Sequence, residues 1–200
     1  MHKFILVISI LFAQLSYAEI TDAFLVKAGG MSFTQEGDTN RAGSTIAISY
    51  EWERYLKTTR TFYAGYRTAD DDVTERTLYQ ATYVGTRYFY LNPGYPIRSR
   101  RGLSIIKLSS TIMPYATVQF ALGRALLRTL GGLGGVEASS EFYSITLGTG
   151  TRFGLASIGL GAIENLFGEA EVLYEIAQGY GEFPYSGSNI YANIGISYYF

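Results

Sequence analysis

The chain contains no cysteine, and its only histidine is His2. Without cysteine there are no disulfides, no thiolate ligands for the common zinc sites and no lipid-modified N-terminal cysteine. His2 lies in a segment that we predict to be cleaved, so the mature chain lacks the imidazole that a Ser-His mechanism needs. We therefore predict a protein that is not an enzyme, with no catalytic residues, no metal site and no cofactor.

The chain has no strong charge of either sign. Lys and Arg number 16 and Asp and Glu number 17, and removal of Lys3 with the N-terminal segment leaves 15 against 17. This balance gives no reason to expect a nucleic-acid partner.

The apolar run from Phe4 to Phe12 is shorter than the about 20 residues that a spanning helix requires.

The first residues have the features of an export signal. His2 and Lys3 form a short basic start, the run from Phe4 to Phe12 is apolar, and Ser16-Tyr17-Ala18 places small residues where a signal peptidase reads. We predict cleavage after Ala18, which makes residues 1–18 a signal peptide and 19–200 one domain.

Aromatic residues and glycine are abundant, with 18 Tyr, 12 Phe and 23 Gly against 4 Pro. Tyrosine suits a membrane interface, because its ring lies in the apolar zone while its hydroxyl stays hydrated. The composition thus favours a protein that contacts lipid.

The last segment alternates strictly between two kinds of residue. One set is apolar, and the intervening residues are small, polar or tyrosine. A strand places alternate side chains on opposite faces, and a membrane barrel needs lipid outside and polar or small groups inside. The apolar set is Ile190, Ala192, Ile194, Ile196, Tyr198 and Phe200.

The same period recurs upstream and predicts eight strands in total. An even number fits a closed bacterial barrel, since closure removes unpaired edges that lipid cannot satisfy. The fold class predicted is therefore all-β, an eight-stranded antiparallel up-and-down transmembrane β-barrel. Clear alternation occurs at 45–53, 143–153 and 169–176, and weaker alternation at Phe24 to Met31, Phe62 to Arg67, Leu78 to Tyr90 and Tyr115 to Gly123.

The predicted connections alternate between two rims. We expect external loops at Gln35 to Ser44, Arg67 to Arg76, Leu126 to Glu141 and Ala177 to Asn189. Periplasmic connections are expected at Arg54 to Arg60, Asn92 to Pro114 and Ala156 to Asn165. The connection from Asn92 to Pro114 is too long for a tight turn and could hold a helix, a strand extension or a mispaired strand. A spanning helix from Leu103 to Leu127 is disfavoured by Lys107, Pro114, Gln119 and Arg124.

The inward faces of these strands carry charges of both signs. The interior of an eight-stranded barrel is just wide enough for side chains to fill, and buried charges must be paired or hydrated. We predict an internal salt-bridge network, with a gated polar pore as the alternative. Glu169 and Glu171 could also be read as an acid and base pair, but nearby arginines favour ion pairing. The predicted lumen charges are Lys27, Glu51, Glu53, Arg67, Arg87, Arg152, Glu169, Glu171 and Glu175.

Three predicted connections contain unusual residues. Asp70-Asp71-Asp72 could attract Ca²⁺ or Mg²⁺ but lacks the spacing of a dedicated site, so we expect a solvated acidic loop. The glycines at 131, 132, 134 and 135 are interpreted as a flexible external loop. The apolar residues that flank them mark either a contact surface or, as we favour, the lipid headgroup zone, and they are Leu126, Leu127, Leu130 and Leu133. A basic group in the long periplasmic connection is interpreted as solvated, and it consists of Arg98, Arg100, Arg101 and Lys107.

With these residues in view, the chain resembles the small OmpA-like and opacity-protein-like outer-membrane barrels. The resemblance rests on Ser197-Tyr198-Tyr199-Phe200, on Met113-Pro114-Tyr115-Ala116 and on the segment 148–154, Gly-Thr-Gly-Thr-Arg-Phe-Gly. It implies that the end of the chain, with Ile196, Tyr198 and Phe200, is an assembly signal for the barrel-assembly machinery. We also expect no peptidoglycan-binding domain after the last strand.

The expected function is that of a non-enzymatic integral outer-membrane protein of a Gram-negative bacterium, with a structural or surface-interaction role. The alternative is a narrow channel for small polar solutes or ions. Expected partners are outer-membrane lipid, lipopolysaccharide and the barrel-assembly machinery during insertion. The pattern does not identify a surface ligand, because this fold serves many functions.

Overall fold

The structure is a computed structural model of the chain. The predicted signal peptide, the glycines at 131, 132, 134 and 135, Asp72, Arg101, Lys107 and Phe200 lie outside the residues that the structure describes. The described residues are 22–36, 41–57, 59–71, 76–90, 97–100, 103–106, 112–128, 137–155, 166–180 and 186–199.

Ten strands form two sheets. Eight of the strands close into an antiparallel barrel in the order β1-β10-β9-β8-β7-β4-β3-β2, and β5 pairs only with β6. Closure is made by β1 and β10, which pair from Ala23↔Tyr199 to Glu36↔Ser186. The strands are β1 (Asp22–Glu36), β2 (Arg41–Lys57), β3 (Arg60–Asp71), β4 (Arg76–Phe89), β5 (Ile97–Arg100), β6 (Leu103–Ile106), β7 (Met113–Arg128), β8 (Glu137–Gly154), β9 (Leu166–Tyr180) and β10 (Ser186–Tyr199).

The eight-stranded antiparallel barrel predicted from the alternation is confirmed. The strands are longer than predicted, and this shortens all four of the predicted external loops. For example, β7 and β8 pair as far as Arg128↔Glu137, inside the loop expected from Leu126 to Glu141. The alternation of apolar residues marks only the part of a strand that faces lipid, whereas backbone pairing continues beyond it.

The long connection contains a hairpin rather than a helix. Strands β5 and β6 pair from Ile97↔Ile106 to Arg100↔Leu103, and β7 begins at Met113. A single spanning helix from Leu103 to Leu127 is therefore excluded. Among the described residues, no helix is long and apolar enough to cross a membrane.

The outer wall of the barrel carries a continuous belt of exposed apolar side chains. On β10, five outward residues from Ile190 to Tyr198 span eight residue steps, or about 27 Å along the strand. With the tilt typical of such strands, the belt is about 20 Å tall, close to the apolar band of membrane barrels. Exposed members include Val26, Ile46, Ile48, Val84, Val118, Phe120, Leu122, Ile145, Leu147, Val172, Ile176, Ile190, Ile194 and Ile196.

Both ends of the interior contain packed aromatic side chains. We call the rim where β1 begins and β10 ends the terminal rim, and the opposite one the distal rim. Near the terminal rim, Tyr199 packs against Tyr55 and Phe167, with ring centroids 5.9 and 5.1 Å apart. Nearer the distal rim, Tyr79 packs against Phe142 and Tyr191 at 5.1 and 6.4 Å. Charged side chains lie between these two aromatic layers.

Inward-facing glycines make room for large rings on neighbouring strands. At Gly150, an added Cβ would lie 2.5 Å from the ring of Tyr115 and 2.8 Å from the carbonyl oxygen of Ala170. At Gly85, an added Cβ would lie 2.5 Å from the ring of Tyr63. A methyl group at either site requires the ring or the backbone to move.

Replacement of Gly150 by alanine is expected to destabilise the barrel by about 1–3 kcal/mol, the usual effect of overpacking a filled interior. The matched control is Gly30→Ala, because Gly30 faces outward and an added Cβ there would meet nothing within 4 Å. Urea unfolding of both variants in lipid vesicles measures the difference. Equal stability of G150A and G30A would contradict the close contact between Tyr115 and Gly150.

Candidate functional site in the barrel lumen

The structure places all nine of the predicted lumen charges inside the barrel. They come from six strands, and each lies on the face opposite the apolar belt. Each side chain is nearly inaccessible to solvent, and the most exposed of the nine is Glu171 at 4%. The nine are Lys27 on β1, Glu51 and Glu53 on β2, Arg67 on β3, Arg87 on β4, Arg152 on β8, and Glu169, Glu171 and Glu175 on β9.

Seven of these residues form one connected group, the charge cluster, which consists of Lys27, Arg87, Arg152, Glu51, Glu53, Glu169 and Glu171. Lys27 lies at its centre. Its Nζ is 3.1 Å from Glu51, 2.7 Å from Glu169 and 2.9 Å from Glu171. One ammonium group therefore joins carboxylates from two strands, β2 and β9.

The two arginines complete the charge cluster from other strands. Arg87 pairs with Glu51 and, at 3.1 Å, with Glu53. Arg152 lies 2.6 Å from Glu169 and 2.8 Å from Glu53. Arg87 also lies 3.7 Å from Glu169 and 3.9 Å from Glu171, so it faces four carboxylates while Arg152 faces two. The planar guanidinium with its five donors suits this geometry.

Neutral side chains add hydrogen bonds to the carboxylates of the charge cluster, but Oε2 of Glu53 has no hydrogen-bond partner among the described residues. The hydroxyl oxygen of Tyr115 lies 2.7 Å from Glu169 and 3.0 Å from Glu171, so its single proton is shared between the two carboxylates, and Asn193 donates to Glu171 at 3.0 Å. The hydroxyl of Tyr83 donates to Glu51 at 2.9 Å. The charge cluster is therefore held by hydrogen bonds as well as by ion pairs, which buried charge requires.

Arg67 and Glu175 are arranged differently, nearer the distal rim. The guanidinium of Arg67 lies 4.1 Å from the ring centre of Tyr191 and 4.9 Å from that of Tyr83, and it donates to Gln119 at 3.2 Å. Such cation–π contacts are strong when desolvated.

Glu175 accepts hydrogen bonds from neutral donors only, among the described residues. Tyr79 donates at 2.8 Å and Asn189 at 2.7 Å, and Ser144 and Tyr191 also donate. Tyr191 contacts Arg67 through its ring and Glu175 through its hydroxyl. This tyrosine therefore links the two charges, which make no direct ion pair in the described part of the chain.

The geometry leaves little scope for acid–base catalysis. Glu169 and Glu171 share a face of β9, as the alternation predicts, but both contact Lys27 and Tyr115. A general base must reach a substrate proton, whereas both carboxylates are already held by these ion pairs and hydrogen bonds. The chemistry that the arrangement supports is mutual neutralisation of charge.

Sequence reasoning missed the neutral partners of these charges. Tyr83, Tyr115 and Gln119 are not among the predicted lumen residues, although each lies on an inward face and contacts a charged residue. Tyr191 and Asn193 were on the small or polar face of the last strand without an assigned role. Their position in the alternation was the available signal, since a polar inward side chain in a narrow lumen must find a partner.

Comparisons with known proteins support the fold. The chain is similar to Neisserial surface protein A, with 13% identity and a TM-score of 0.51, over 89% of this chain and 99% of that one. It also aligns with the N-terminal β-barrel domain of OprF from Pseudomonas aeruginosa, with 13% identity and a TM-score of 0.47 over 87% and 97% of the two chains. Ail, the attachment invasion locus protein of Yersinia pestis, aligns with 10% identity and a TM-score of 0.47, over 92% of this chain and 100% of that one.

No protein-family model and no curated protein sequence matches the chain. At such low identity the structural likeness carries information about the fold alone. Together, the closed order of eight strands, the apolar belt and the similarity to Neisserial surface protein A show that the chain has the fold of the small eight-stranded outer-membrane barrels.

Proposed function

We propose that this protein is a non-enzymatic integral outer-membrane barrel with a structural or surface-interaction role, and that side chains close its lumen. The observation that carries the proposal is the charge cluster, in which Lys27, Arg87 and Arg152 are each in contact with at least two buried carboxylates. Mobile ions and solutes cannot replace these partners without leaving buried charges unpaired.

Two further features support closure. Eight strands enclose a space that side chains can fill. Aromatic layers lie on both sides of the charge cluster, and large rings such as those of Tyr55, Phe167, Tyr79 and Phe142 are nearly inaccessible to solvent. A permeating ion would have to cross both layers as well as the cluster.

The proposal includes export, orientation and assembly. Residues 1–18 direct export, the terminal rim faces the periplasm, and the four connections of the distal rim are displayed outside the cell. Ile196 and Tyr198 face outward on β10 and, together with Phe200, form the signal for the barrel-assembly machinery. After insertion, the partners of the barrel are outer-membrane lipid and lipopolysaccharide.

A narrow channel for small polar solutes or ions is the second candidate. It is favoured by three buried polar atoms that lack a hydrogen-bond partner among the described residues, namely Nε of Arg67, Nε2 of Gln119 and Oγ1 of Thr146. Polar groups of this kind are where water enters a protein interior. Gln119 and Thr146 are direct cross-strand neighbours, so a hydrated region could form there.

Conductance distinguishes the two candidates. The purified full chain in planar lipid bilayers is expected to show no stable conductance steps, because the charge cluster and the aromatic layers fill the lumen. Arg152→Ala is the diagnostic variant, and Arg60→Ala, which removes an exposed charge at the terminal rim, is its control. Stable steps in the unchanged protein that alter in R152A but not in R60A would establish a channel instead.

A further inference from the structure

A groove of about 410 Å³ lies on the outer wall of the barrel, away from the lumen. It crosses strands β3, β4, β7, β8 and β9. Thr82 is a small outward residue there between larger side chains, and Ala81 and Gly123, which lie on the inward face, border the groove from the wall beneath it. The larger lining residues are Tyr66, Gln80, Leu122, Arg124, Glu141 and Tyr180.

The polar residues of the groove form one row across the sheet. Gln80 pairs in register with Arg124, Arg124 with Glu141, and Glu141 with Tyr180. Nη2 of Arg124 lies 3.3 Å from Glu141, and the two side chains are 54% and 52% exposed. The hydroxyl of Tyr66 donates to Gln80 at 3.3 Å. Donors and acceptors are thus presented side by side to the surroundings of the barrel.

The row lies at the distal edge of the apolar belt. On β7 the outward residues run from Val118 through Phe120 and Leu122 to Arg124, so the surface changes from apolar to charged within one residue pair. At the corresponding edge of β1, β2 and β10 the first polar outward residues are all serines, Ser32, Ser44 and Ser188. Among the described side chains, the first polar outward residue at this edge is charged only on β7 and β8, the strands of Arg124 and Glu141.

We infer that this groove binds the headgroup of a phosphorylated glycolipid of the outer leaflet. Arg124 contacts a phosphate, because the donors of its guanidinium other than Nη2 have no partner among the described residues. Gln80 and Glu141 accept hydrogen bonds from sugar hydroxyl and amide groups, and the acyl chains run along Leu122 and Tyr66. The inference rests on the proposed orientation, which puts the distal rim in the outer leaflet.

Phosphatidylethanolamine is the competing occupant, because its ammonium and phosphate could match Glu141 and Arg124. The two lipids respond in opposite ways to removal of the carboxylate. Glu141 repels a nearby phosphate but attracts an ammonium group. Glu141→Gln is therefore expected to maintain or strengthen binding of the phosphorylated glycolipid and to weaken binding of phosphatidylethanolamine.

The test is native mass spectrometry of the full chain in detergent micelles, titrated separately with purified bis-phosphorylated lipid A and with phosphatidylethanolamine. Arg124→Ala is expected to weaken binding of lipid A about fivefold, equivalent to about 1 kcal/mol for a partly exposed ionic contact. Arg124→Lys is expected to lose less affinity for lipid A than Arg124→Ala, because lysine keeps the positive charge. Arg60→Ala is the control, since Arg60 is an exposed cation at the opposite rim.

The outcomes separate this inference from the proposed function. Equal lipid A binding by R124A and R60A would overturn the site. The proposed function would remain intact if the protein still stays in the membrane as a heat-modifiable barrel, that is, one whose gel mobility changes on boiling. If E141Q binds only phosphatidylethanolamine more weakly, and the unchanged protein shows no preference for lipid A, then phosphatidylethanolamine and not the glycolipid occupies the groove. A chain that does not insert into membranes at all would overturn both.

Discussion

Replacement of Lys27 by methionine is expected to lower the free energy of unfolding by about 3–5 kcal/mol, the usual effect of removing one partner from a buried ion pair. The ammonium of Lys27 contacts Glu51, Glu169 and Glu171, and all three carboxylates are buried. Methionine has a similar length and leaves no large cavity. The loss therefore reports on charge rather than on packing.

The charge count sharpens this expectation. The charge cluster contains three cations, Lys27, Arg87 and Arg152, and four glutamates, so it is one negative charge in excess when every member is ionised. In K27M two cations face four carboxylates, so the excess rises to two negative charges. In an interior with a low dielectric constant, this added repulsion is poorly screened.

Urea unfolding in lipid vesicles, followed by the fluorescence of Trp52, measures the effect, since Trp52 is the single tryptophan and lies on the outer wall. The double variant K27M/E171Q removes one carboxylate as well and is expected to regain part of the lost stability. Arg60→Met serves as the surface control. A loss in K27M no larger than in R60M would show that the carboxylates find other partners or are not charged.

Alternation along the strands was enough to predict which side chains enter the lumen. A strand has a period of two residues, so one outward apolar residue determines the side of every other residue on that strand. The nine lumen charges follow from this rule. Their partners do not, because Lys27 and Glu171 are 144 residues apart and meet only when β1 pairs with β10 and the barrel closes. Contacts across the lumen depend on register and stagger, which no single strand contains.

The groove could not be predicted for a related reason. Gln80, Arg124 and Glu141 belong to three strands and become neighbours through their register. Each of them also lies where the sequence predicted the end of a strand or a loop, because the apolar alternation stops there. The first charged outward residue of each strand, taken in barrel order, brings Arg124 and Glu141 together and was the available signal.

Substitution of Ile194 by arginine tests whether the apolar belt faces lipid. It is expected to lower the free energy of unfolding by about 2–4 kcal/mol, as for a basic residue near the midplane of a membrane barrel. Ile194 lies near the middle of the apolar stretch of β10 and is 72% exposed. Its side chain makes few contacts within the protein, so packing contributes little to the loss. The free energy of unfolding in vesicles and the fraction of heat-modifiable protein in the membrane measure the effect.

The matched control is Ser188→Arg, on the same strand and the same face but at the distal edge of the belt. Near the interface, arginine is expected to cost only about 0–1 kcal/mol, since its charged end reaches the headgroups. A barrel exposed to water gives the reverse pattern, because arginine at position 194 would then be hydrated and would improve solubility. Equal stability of I194R and S188R would therefore contradict a membrane-embedded belt, whereas a loss confined to I194R would locate the membrane midplane near Ile194.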